Sequence, residues 1–394
     1  ERRIELVTNR ALDELGPRNL WTSTGCHIMR GEFPFLYGYL SDSLKGMKEH
    51  ARGQLNARED GLWVWYPAAE KYRSLGTPGG HTLGQAAGPA MHILRTARLT
   101  GDPELAAQGL EAMTQMERYE VPRGAQMWEC PLYQPDILAA AHAIRAYCEA
   151  YRLTGDPAYL DHARYWAWTG LPFLYMWDIE GIPTMRYNVI SVIGSTFHRH
   201  SWIGLPVVWC GLVYGYSLQD LAEFDDSFPW KTVAEGILTS AMRQQYTSGP
   251  NKGCYPDSWN MVENRPNPAD INPENILVNG FRLRGQSPEI NFARFERNEG
   301  PPVFLNTPAA IVAREDLPGE KRVRFTLGDM YAPVTHTFLG PVAEPKAVSG
   351  AGERAGNSTE LHATKVGWLY DEELGGIVLK HSAQGTNITC EIQW

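Results

Sequence analysis

The chain has 394 residues, of which 43% are apolar and 21% charged, values ordinary for a globular protein with room for two domains. A net charge of −9 gives no general attraction to nucleic acid, and no apolar run is long enough to span a membrane, so neither partner is expected. The six cysteines are scattered without a Cys-X-X-Cys pair, which excludes a zinc ribbon and a dense disulfide framework. The unusual feature is aromatic content, with 13 Trp and 18 Tyr.

Helical periodicity organises the chain up to about residue 250. An amphipathic helix is predicted at 1–16, ending near a Gly-Pro pair. The further helices are predicted at about 35–52, 81–99, 103–118, 135–153, 157–172, 205–224 and 229–247. Several of the joints between them are short, which indicates antiparallel helical hairpins.

Two of the short joints have the same sequence. Arg-Leu-Thr-Gly-Asp-Pro occurs at 98–103 and again at 152–157, 54 positions later. Gly101 and Gly155 can take the left-handed conformation that ends a helix. Asp102 and Asp156 can cap the helix that follows, and the prolines suit its first turn. We interpret this segment as a repeated helical hairpin of about fifty residues, longer than a tetratricopeptide or HEAT unit.

The amino-acid composition changes from residue 248, where Gly, Pro and Asn become frequent and helical periodicity stops. Short segments of β-rich composition, bounded by turn residues, follow at 276–283, 323–327, 365–370, 376–380 and 386–393. We therefore predict a helical domain at 1–250, a linker at 251–274 and an antiparallel β domain, sandwich-like, at 275–394.

Four long connections are predicted to lie at one end of the helices. Because the Gly-Asp-Pro turns occupy one end of the antiparallel hairpins, the connections at 53–80, 119–134, 173–204 and 248–275 belong at the other, where functional residues tend to collect. Aromatic rings beside carboxylates suit sugars, although about half of the aromatics are expected to be packing residues. The candidate substrate-binding residues are Trp63, Trp65, Tyr66, Trp128, Tyr133, Trp177, Glu180, Arg186, Asn188, Arg199, Trp202 and Trp259.

Helical hairpins, a face of long loops rich in Trp and acids, and a trailing β domain together resemble the (α/α)-toroid carbohydrate-active enzymes. This group includes six-hairpin glycosidases and toroid polysaccharide lyases. The resemblance is architectural, without a family-specific catalytic motif, and implies an oligo- or polysaccharide substrate. The expected fold class is mostly α with C-terminal β: an (α/α) toroid of helical hairpins, complete or incomplete, and an antiparallel β-sandwich-like domain. The chain departs from the group in having roughly four clear hairpins.

A glycoside hydrolase needs a pair of carboxylates, one of them with a raised pKa as the general acid. Glu129 is the favoured acid, because its neighbours Trp128 and Cys130 suggest apolar surroundings that raise a carboxyl pKa. Asp178 is its favoured partner. Asp136 is a further candidate, but an acid after Pro135 at the start of a helix also stabilises the helix dipole, and the two interpretations are equally open.

The alternative is a polysaccharide lyase, which needs a base and groups that neutralise a uronate carboxylate. The resemblance implies Tyr187 with His198 or His200 for proton transfer, and Asn188 and Arg186 for neutralisation. The two histidines could also bind a divalent metal, since alternate residues of a strand face the same side. An isolated His-X-His pair is a weak signal, so no cofactor or metal is expected.

A non-catalytic scaffold that binds glycans is a third possibility. The acids, histidines and arginines among the aromatics exceed what simple stacking needs, which favours an enzyme. The chain begins at Glu1 rather than Met, as a secreted protein does once its signal peptide is removed, and this favours a periplasmic or extracellular location over the cytoplasm. The sugar, the linkage and the oligomeric state are left open.

Overall fold

The structure is a computed structural model that describes residues 2–22, 27–28, 31–128, 130–182, 185–193, 205–287, 289–317, 321–328, 334–382 and 387–394. Its helices are α1 (Arg2–Leu15), α2 (Phe33–Tyr37), α3 (Leu40–Asn56), α4 (Leu83–Thr100), α5 (Pro103–Met116), α6 (Ile137–Thr154), α7 (Ala158–Gly170), α8 (Val208–Leu221), α9 (Trp230–Arg243), α10 (Glu274–Leu283) and α11 (Ser358–Ala363). Its strands are β1 (Tyr255–Asn260), β2 (Arg265–Ile271), β3 (Asn291–Phe295), β4 (Val303–Thr307), β5 (Ile311–Leu317), β6 (Arg322–Leu327), β7 (Thr335–Gly340), β8 (Ala347–Ser349), β9 (Glu353–Arg354), β10 (Gly367–Asp371), β11 (Gly376–His381) and β12 (Ile388–Gln393). Over these ranges, every helix is too short or too polar to cross a membrane.

Antiparallel hairpins form the body of the helical part. α4, α6 and α8 pack side by side as an inner layer, while α5, α7 and α9 each return along the outside of the preceding helix. Burial follows this arrangement, because every residue of α8 is buried whereas α7 and α9 expose one face to solvent. α3 packs against α4, and α10 packs against α8 and α9. Antiparallel helical hairpins are confirmed, but the residues described contain three of them, with a flanking helix on each side, where roughly four were predicted.

Both repeated turns end a helix as their sequence predicts, but only the first begins the next helix in the predicted way. Gly101 and Gly155 follow α4 and α6 with φ of +67° and +75°, in the left-handed region. One carboxylate oxygen of Asp102 accepts hydrogen bonds from the backbone amides of Glu104 and Leu105, each at 3.0 Å. In the second copy Pro157 is the N-cap of α7, which begins at Ala158, and Oδ1 of Asp156 accepts the backbone amide of Ala158 at 2.9 Å. The predicted aspartate cap with proline in the first turn is therefore confirmed for Asp102 alone.

The C-terminal strands form two stacked sheets. The larger sheet has the order β3-β4-β7-β11-β10-β9 and the smaller has the order β5-β6-β12-β8, with β9 and β10 parallel and the other neighbours antiparallel. Apolar side chains of both sheets share one core, for example Phe295 and Leu305 from the larger sheet with Phe325 and Ile392 from the smaller. The predicted antiparallel sandwich is confirmed.

Two of the segment predictions are wrong. Residues 276–283 were expected to form a strand but lie in α10. The face that α10 buries includes Asn275, Asn279 and Arg282, so its polar inward positions hide the helical period from an apolar pattern. The single helix predicted at about 35–52 is interrupted between α2 and α3, where Gly38 and Tyr39 have φ of +107° and +54°.

The predicted linker at 251–274 contains the hairpin β1–β2.

The larger sheet lies against the end of the hairpins that carries the short turns. Asn306 on β4 donates from Nδ2 to the carbonyl oxygens of Arg98 and Leu99, at 3.0 and 3.2 Å. A Cβ added at Gly101 would lie 2.4 Å from the carbonyl oxygen of Gly340 on β7. β4, β7 and β11 are buried at every position, as expected of strands covered on both faces. The long connections therefore lie at the opposite end.

Candidate functional site

The long connections contact one another across the N-terminal ends of α4, α6 and α8. The backbone amide of Leu132 donates to the carbonyl oxygen of Leu75 at 2.7 Å, which joins the connection before α4 to the one before α6. Backbone bridges continue from Asp136 to Val192, and from the residue before α8 to β1. The four connections thus meet at one end of the hairpins, as the order of short and long joints predicts.

Five side chains meet at this end in what we term the Trp209 cluster: His27, Trp128, Trp209, Asp257 and Asn275. Trp209 lies in the first turn of α8. Its ring stacks on His27 with 4.7 Å between centroids, and the ring of Trp128 lies 6.1 Å away. The indole Nε1 of Trp209 donates to Oδ1 of Asp257 at 2.9 Å. The cluster therefore combines aromatic faces with an oriented carboxylate.

Asn275 orients the imidazole of His27. Its Nδ2 lies 3.0 Å from Nδ1 of His27, and its Oδ1 accepts the backbone amide of the same residue at 3.2 Å. Because an amide NH₂ group can only donate, Nδ1 is the acceptor and the neutral imidazole carries its proton on Nε2. The Asn275 Nδ2 also donates to the hydroxyl of Tyr255 at 3.1 Å. His27 and Trp128 are exposed, so the cluster is open to solvent.

Asp136 anchors the connection that carries Trp128. It caps α6, accepting the backbone amide of Ala139 at 2.9 Å through Oδ1, while Oδ2 accepts that of Ala125 at 2.9 Å. Burial raises the pKa of Asp136 to about 7, against the lowering effect of these backbone hydrogen bonds. The buried Gln126 adds a hydrogen bond from Nε2 to the carbonyl oxygen of Ser191. Asp136 therefore has a structural role, in which it joins the start of α6 to the preceding connection. Its catalytic role stays a prediction.

The connection after α7 places its predicted residues at the surface and on α9. Asp178 and Arg186 form an ion pair at 3.0 Å in which each side chain is 56% exposed. Tyr187 has φ of +62° and its ring packs on α9, because a Cβ added at Gly236 would lie 2.4 Å from it. Asn188 is buried, with no hydrogen-bond partner for Nδ2 among the residues described. Asp178 is thus brought to Arg186, and the Tyr187 ring lies on the outer helix.

The other predicted sugar-binding aromatics divide into buried and exposed residues. The indole of Trp63 donates to the carbonyl oxygen of Gln54 at 2.9 Å, and Trp65 packs with Leu75 and Leu132, so both rings lie in the interior. The rings of four others are close to half exposed: Tyr66, Trp128, Tyr133 and Trp177. Trp259 is partly buried, and the predicted acid Glu180 is exposed. The exposed side chains are therefore available to a ligand, whereas Trp63 and Trp65 are not.

Five predicted site residues lie outside the described residues: Glu129, His198, Arg199, His200 and Trp202. Their roles stay predictions. Among the residues that the structure does describe, no group of three or more His, Cys, Asp or Glu side chains could hold a metal ion.

Four members of the Trp209 cluster were not predicted as site residues: His27, Trp209, Asp257 and Asn275. Trp209 fits the helical pattern of α8, and this pattern predicts a core residue. Its place in the first turn of α8, directly after a long connection rich in aromatic residues, is the signal that could have identified it. His27 lies in an early loop, and its partner Asn275 is 248 residues away, so no local pattern relates them. Asp257 lies two residues before Trp259, the residue of the last connection that was predicted to bind sugar.

A second polar cluster lies deeper, in the C-terminal halves of the inner helices. It joins Arg95, Arg98, Arg145, Arg152 and Arg282 to Glu32, Glu149, Asp220, Glu223 and Glu289. Burial raises the pKa of Glu32 to about 7 in spite of Arg95. Burial would also raise the pKa of Glu289, yet Arg95 and Arg145 lower it to about 2. Because every arginine in this cluster is paired with a carboxylate of another element, we interpret the cluster as a structural clamp between helices.

Comparison with known proteins finds no matching family model and no matching curated protein. Among solved structures, the unsaturated glucuronyl hydrolase of Bacillus sp. GL1 is 15% identical over 73% of this chain and 80% of its own, with a TM-score of 0.45. A GH76 α-mannanase of Bacteroides thetaiotaomicron is 11% identical over 71% and 68%, with a TM-score of 0.42. A polysaccharide lyase is 12% identical over 63% and 66%, with a TM-score of 0.41.

These structures are (α/α)-toroid carbohydrate-active enzymes, the group that the sequence resembles. At these identities and TM-scores the likeness says nothing about substrate or mechanism. The substrate and the mechanism therefore rest on the residues of the site.

Proposed function

We propose that this protein is a carbohydrate-active enzyme, a glycoside hydrolase that cleaves an oligo- or polysaccharide at the Trp209 cluster. The observation that carries the proposal is the set of contacts made by Trp209, which stacks on His27, adjoins Trp128 and donates to Asp257. The apolar face of a sugar ring packs on aromatic rings, and glycoside hydrolysis needs carboxylates beside the scissile bond. The exposed aromatic face meets the first requirement, and the oriented carboxylate of Asp257 supplies one of the two carboxylates.

Asp257 and Glu129 are assigned as the two carboxylates. The indole N–H of Trp209 orients Asp257, which suits a base or a nucleophile. Glu129 takes the role of general acid, because its sequence neighbour Trp128 belongs to the cluster and Cys130 is buried, and apolar surroundings raise a carboxyl pKa. Asp178, the partner favoured from the sequence, is engaged by Arg186 at the surface, so Asp257 takes its place here.

A polysaccharide lyase is the alternative, and one observation favours it. His27, Asn275 and Tyr255 form a hydrogen-bonded chain, with His27 open to solvent. Lyase chemistry uses the same residue types, since a uronate carboxylate must be neutralised while a proton leaves the adjacent carbon. In this version Nε2 of His27, which carries the proton, acts as the acid toward the leaving oxygen, and Asn275 holds the ring in that tautomer. The proton that leaves the carbon goes to His198 or His200, which the resemblance implies for proton transfer.

One assay separates the two reactions. Elimination from a uronate polymer creates a double bond that absorbs in the ultraviolet, whereas hydrolysis gives new reducing ends without that absorbance. We expect reducing ends alone. Absorbance that rises in step with chain cleavage would select the lyase. Glycan binding without either product would select the non-catalytic scaffold.

Variants then locate the reaction. Asp257→Asn and Glu129→Gln should each abolish cleavage while the chain stays folded, as measured by turnover and by far-ultraviolet circular dichroism. The control is Asp226→Asn, an exposed acid on the short turn between α8 and α9, which should turn over substrate at the wild-type rate. If both variants of the proposed carboxylates keep wild-type turnover, the assignment is wrong.

A further inference from the structure

We propose that a groove on the outer rim of the helical part is a second carbohydrate site, one that binds a uronate-bearing stretch of a glycan. We term it the rim groove and define it by His81, Arg118, Tyr119, Glu120, Arg123, Tyr133, His162 and Tyr165. The inference rests on a carbohydrate ligand, as the proposed function does, but it concerns residues outside the Trp209 cluster.

The rim groove consists of two adjoining cavities. The upper cavity, of about 550 Å³, lies between the start of α4 and the connection after α5, and is lined by His81, Arg123 and Tyr133 among others. The lower cavity, of about 360 Å³, lies between the end of α5 and α7. Tyr119 and Glu120 line both cavities, so the two are neighbours that share these residues. Two neighbouring cavities suit successive units of a glycan chain rather than a single small molecule.

Besides the buried Tyr147, three tyrosines line the rim groove, and two of these three are held through their hydroxyl groups. The hydroxyl of Tyr119 lies 3.1 Å from Nδ1 of His81. The hydroxyl of Tyr165 donates to the carbonyl oxygen of Glu120 at 2.7 Å, yet its side chain is 46% exposed. Tyr133 in the upper cavity is 50% exposed. A ring anchored by its hydroxyl offers its face at little cost in side-chain entropy, which favours stacking on sugars.

Charge indicates where an acidic sugar unit would lie. Arg118 and Arg123 both line the upper cavity, against one acid there, Glu120, whereas the whole chain carries a net charge of −9. The buried Nε of Arg123 has no hydrogen-bond partner among the residues described. Guanidinium groups are the usual partners of carboxylates. The lower cavity adds Glu117 and His162, which suit hydroxyl groups. We therefore assign the carboxylate to the upper cavity and a neutral unit to the lower.

The test measures binding without turnover. An oligogalacturonate and a neutral cello-oligosaccharide of equal length are titrated calorimetrically into the full chain carrying Asp257→Asn. We expect the acidic probe to bind more tightly, and more weakly as salt is added. Tyr165→Ala should weaken binding of the acidic probe about tenfold or more, whereas Tyr165→Phe, which keeps the ring, should retain most of it. Arg118→Gln should reduce the preference for the acidic probe over the neutral one.

The matched control is Trp168→Ala, which removes a half-exposed aromatic one turn further along α7, outside both cavities, and should leave binding unchanged. Equal affinity of Tyr165→Ala and its parent, or no preference for the acidic probe, would overturn the proposal. So would a Tyr165→Ala chain that cleaves a short substrate as poorly as Asp257→Asn does, because the groove would then belong to the reacting site. If no variant cleaves any glycan but these affinity differences hold, the proposed function fails and the rim groove stands.

Discussion

Arg98, near the end of α4, and Glu149, on α6, form a buried ion pair in which Nε and Nη2 donate to the two carboxylate oxygens at 2.7 and 3.2 Å. Arg152, which occupies the position of Arg98 in the second copy of the repeat, donates to the same carboxylate at 3.1 Å. The repeated segment thus does more than shape two turns. Its arginines converge on one acid, and Arg98 also reaches Oδ1 of Asn306 at 3.3 Å, which links the helices to the β domain.

We expect Glu149→Gln to lower the free energy of unfolding by about 3–5 kcal/mol, because two buried guanidinium groups lose their shared counter-charge. Burial alone would raise the pKa of Glu149, but Arg98 and Arg152 hold it below its usual value. The stabilisation is therefore present at neutral pH and is lost as pH falls through the lowered pKa. Urea unfolding followed by circular dichroism measures the effect. Glu14→Gln, in the exposed pair with Arg10, should change stability by less than about 0.5 kcal/mol.

The two turn glycines should respond differently to the same substitution. Both have positive φ, so Gly155→Ala should cost about 1–2 kcal/mol from the left-handed conformation alone. Its Cβ would meet only Arg294 Nη1, at 3.6 Å. Gly101→Ala should cost about 1–3 kcal/mol more, because its Cβ would lie 2.4 Å from the backbone of Gly340. Thermal unfolding of the two variants in parallel is the measurement, and equal melting temperatures would contradict the close contact with the β domain.

The fold was predictable from sequence where its causes are local. The turn after α4 follows from Gly101, Asp102 and the next proline, each of which acts on its immediate neighbours. α10 was missed because its inward side chains are polar and find their partners on another helix. Asn279 accepts the side-chain amide of Gln219 at 2.8 Å, and Arg282 donates to Asp220 at 2.7 Å. A helix whose buried positions are mostly polar has no helical period of apolar residues by which the sequence could identify it.

The location of the candidate site was predictable, but most of its residues were not. The alternation of short and long joints identifies the end of the hairpins at which the connections meet, and Trp128 lies there. Sequence alone does not distinguish exposed tryptophans from Trp63 and Trp65, which are buried. The contact between His27 and Asn275 joins distant parts of the chain, so it exists only once the helices have assembled.

The β domain should be sensitive to acid. Burial lowers the pKa of His381 to about 4, and burial with the charge of Lys380 lowers that of His336 to about 3. In the unfolded chain each histidine binds a proton below about pH 6.5, whereas in the folded protein it binds one only below its lowered pKa. The free energy of unfolding therefore falls as the pH drops from about 6.5 to that lowered pKa. The loss is at most about 1.4 kcal/mol per pH unit for each histidine.

We expect His381→Leu to reduce the slope of unfolding free energy against pH between about 6.5 and 4, because it removes one of the two histidines whose pKa is lowered and leaves His336. Neither ring nitrogen of His381 has a hydrogen-bond partner among the residues described, so the substitution breaks no hydrogen bond there. Urea unfolding of the variant and the wild type at several pH values within this window gives the two slopes. Curves that run parallel throughout would mean that His381 does not carry the predicted share of the acid sensitivity.

Trp209 should contribute to turnover through its N–H as well as through its ring. Trp209→Phe keeps an aromatic face over His27 but removes the donor that orients Asp257. Because a hydrogen bond to a charged group is worth about 1.5–3 kcal/mol, we expect kcat to fall about 10- to 100-fold with a smaller change in KM. Trp209→Ala removes the ring too and should raise KM as well. Trp168→Phe, a half-exposed ring on α7, should leave both constants unchanged. Wild-type kinetics in Trp209→Phe would show that its contact with Asp257 plays no part in the reaction.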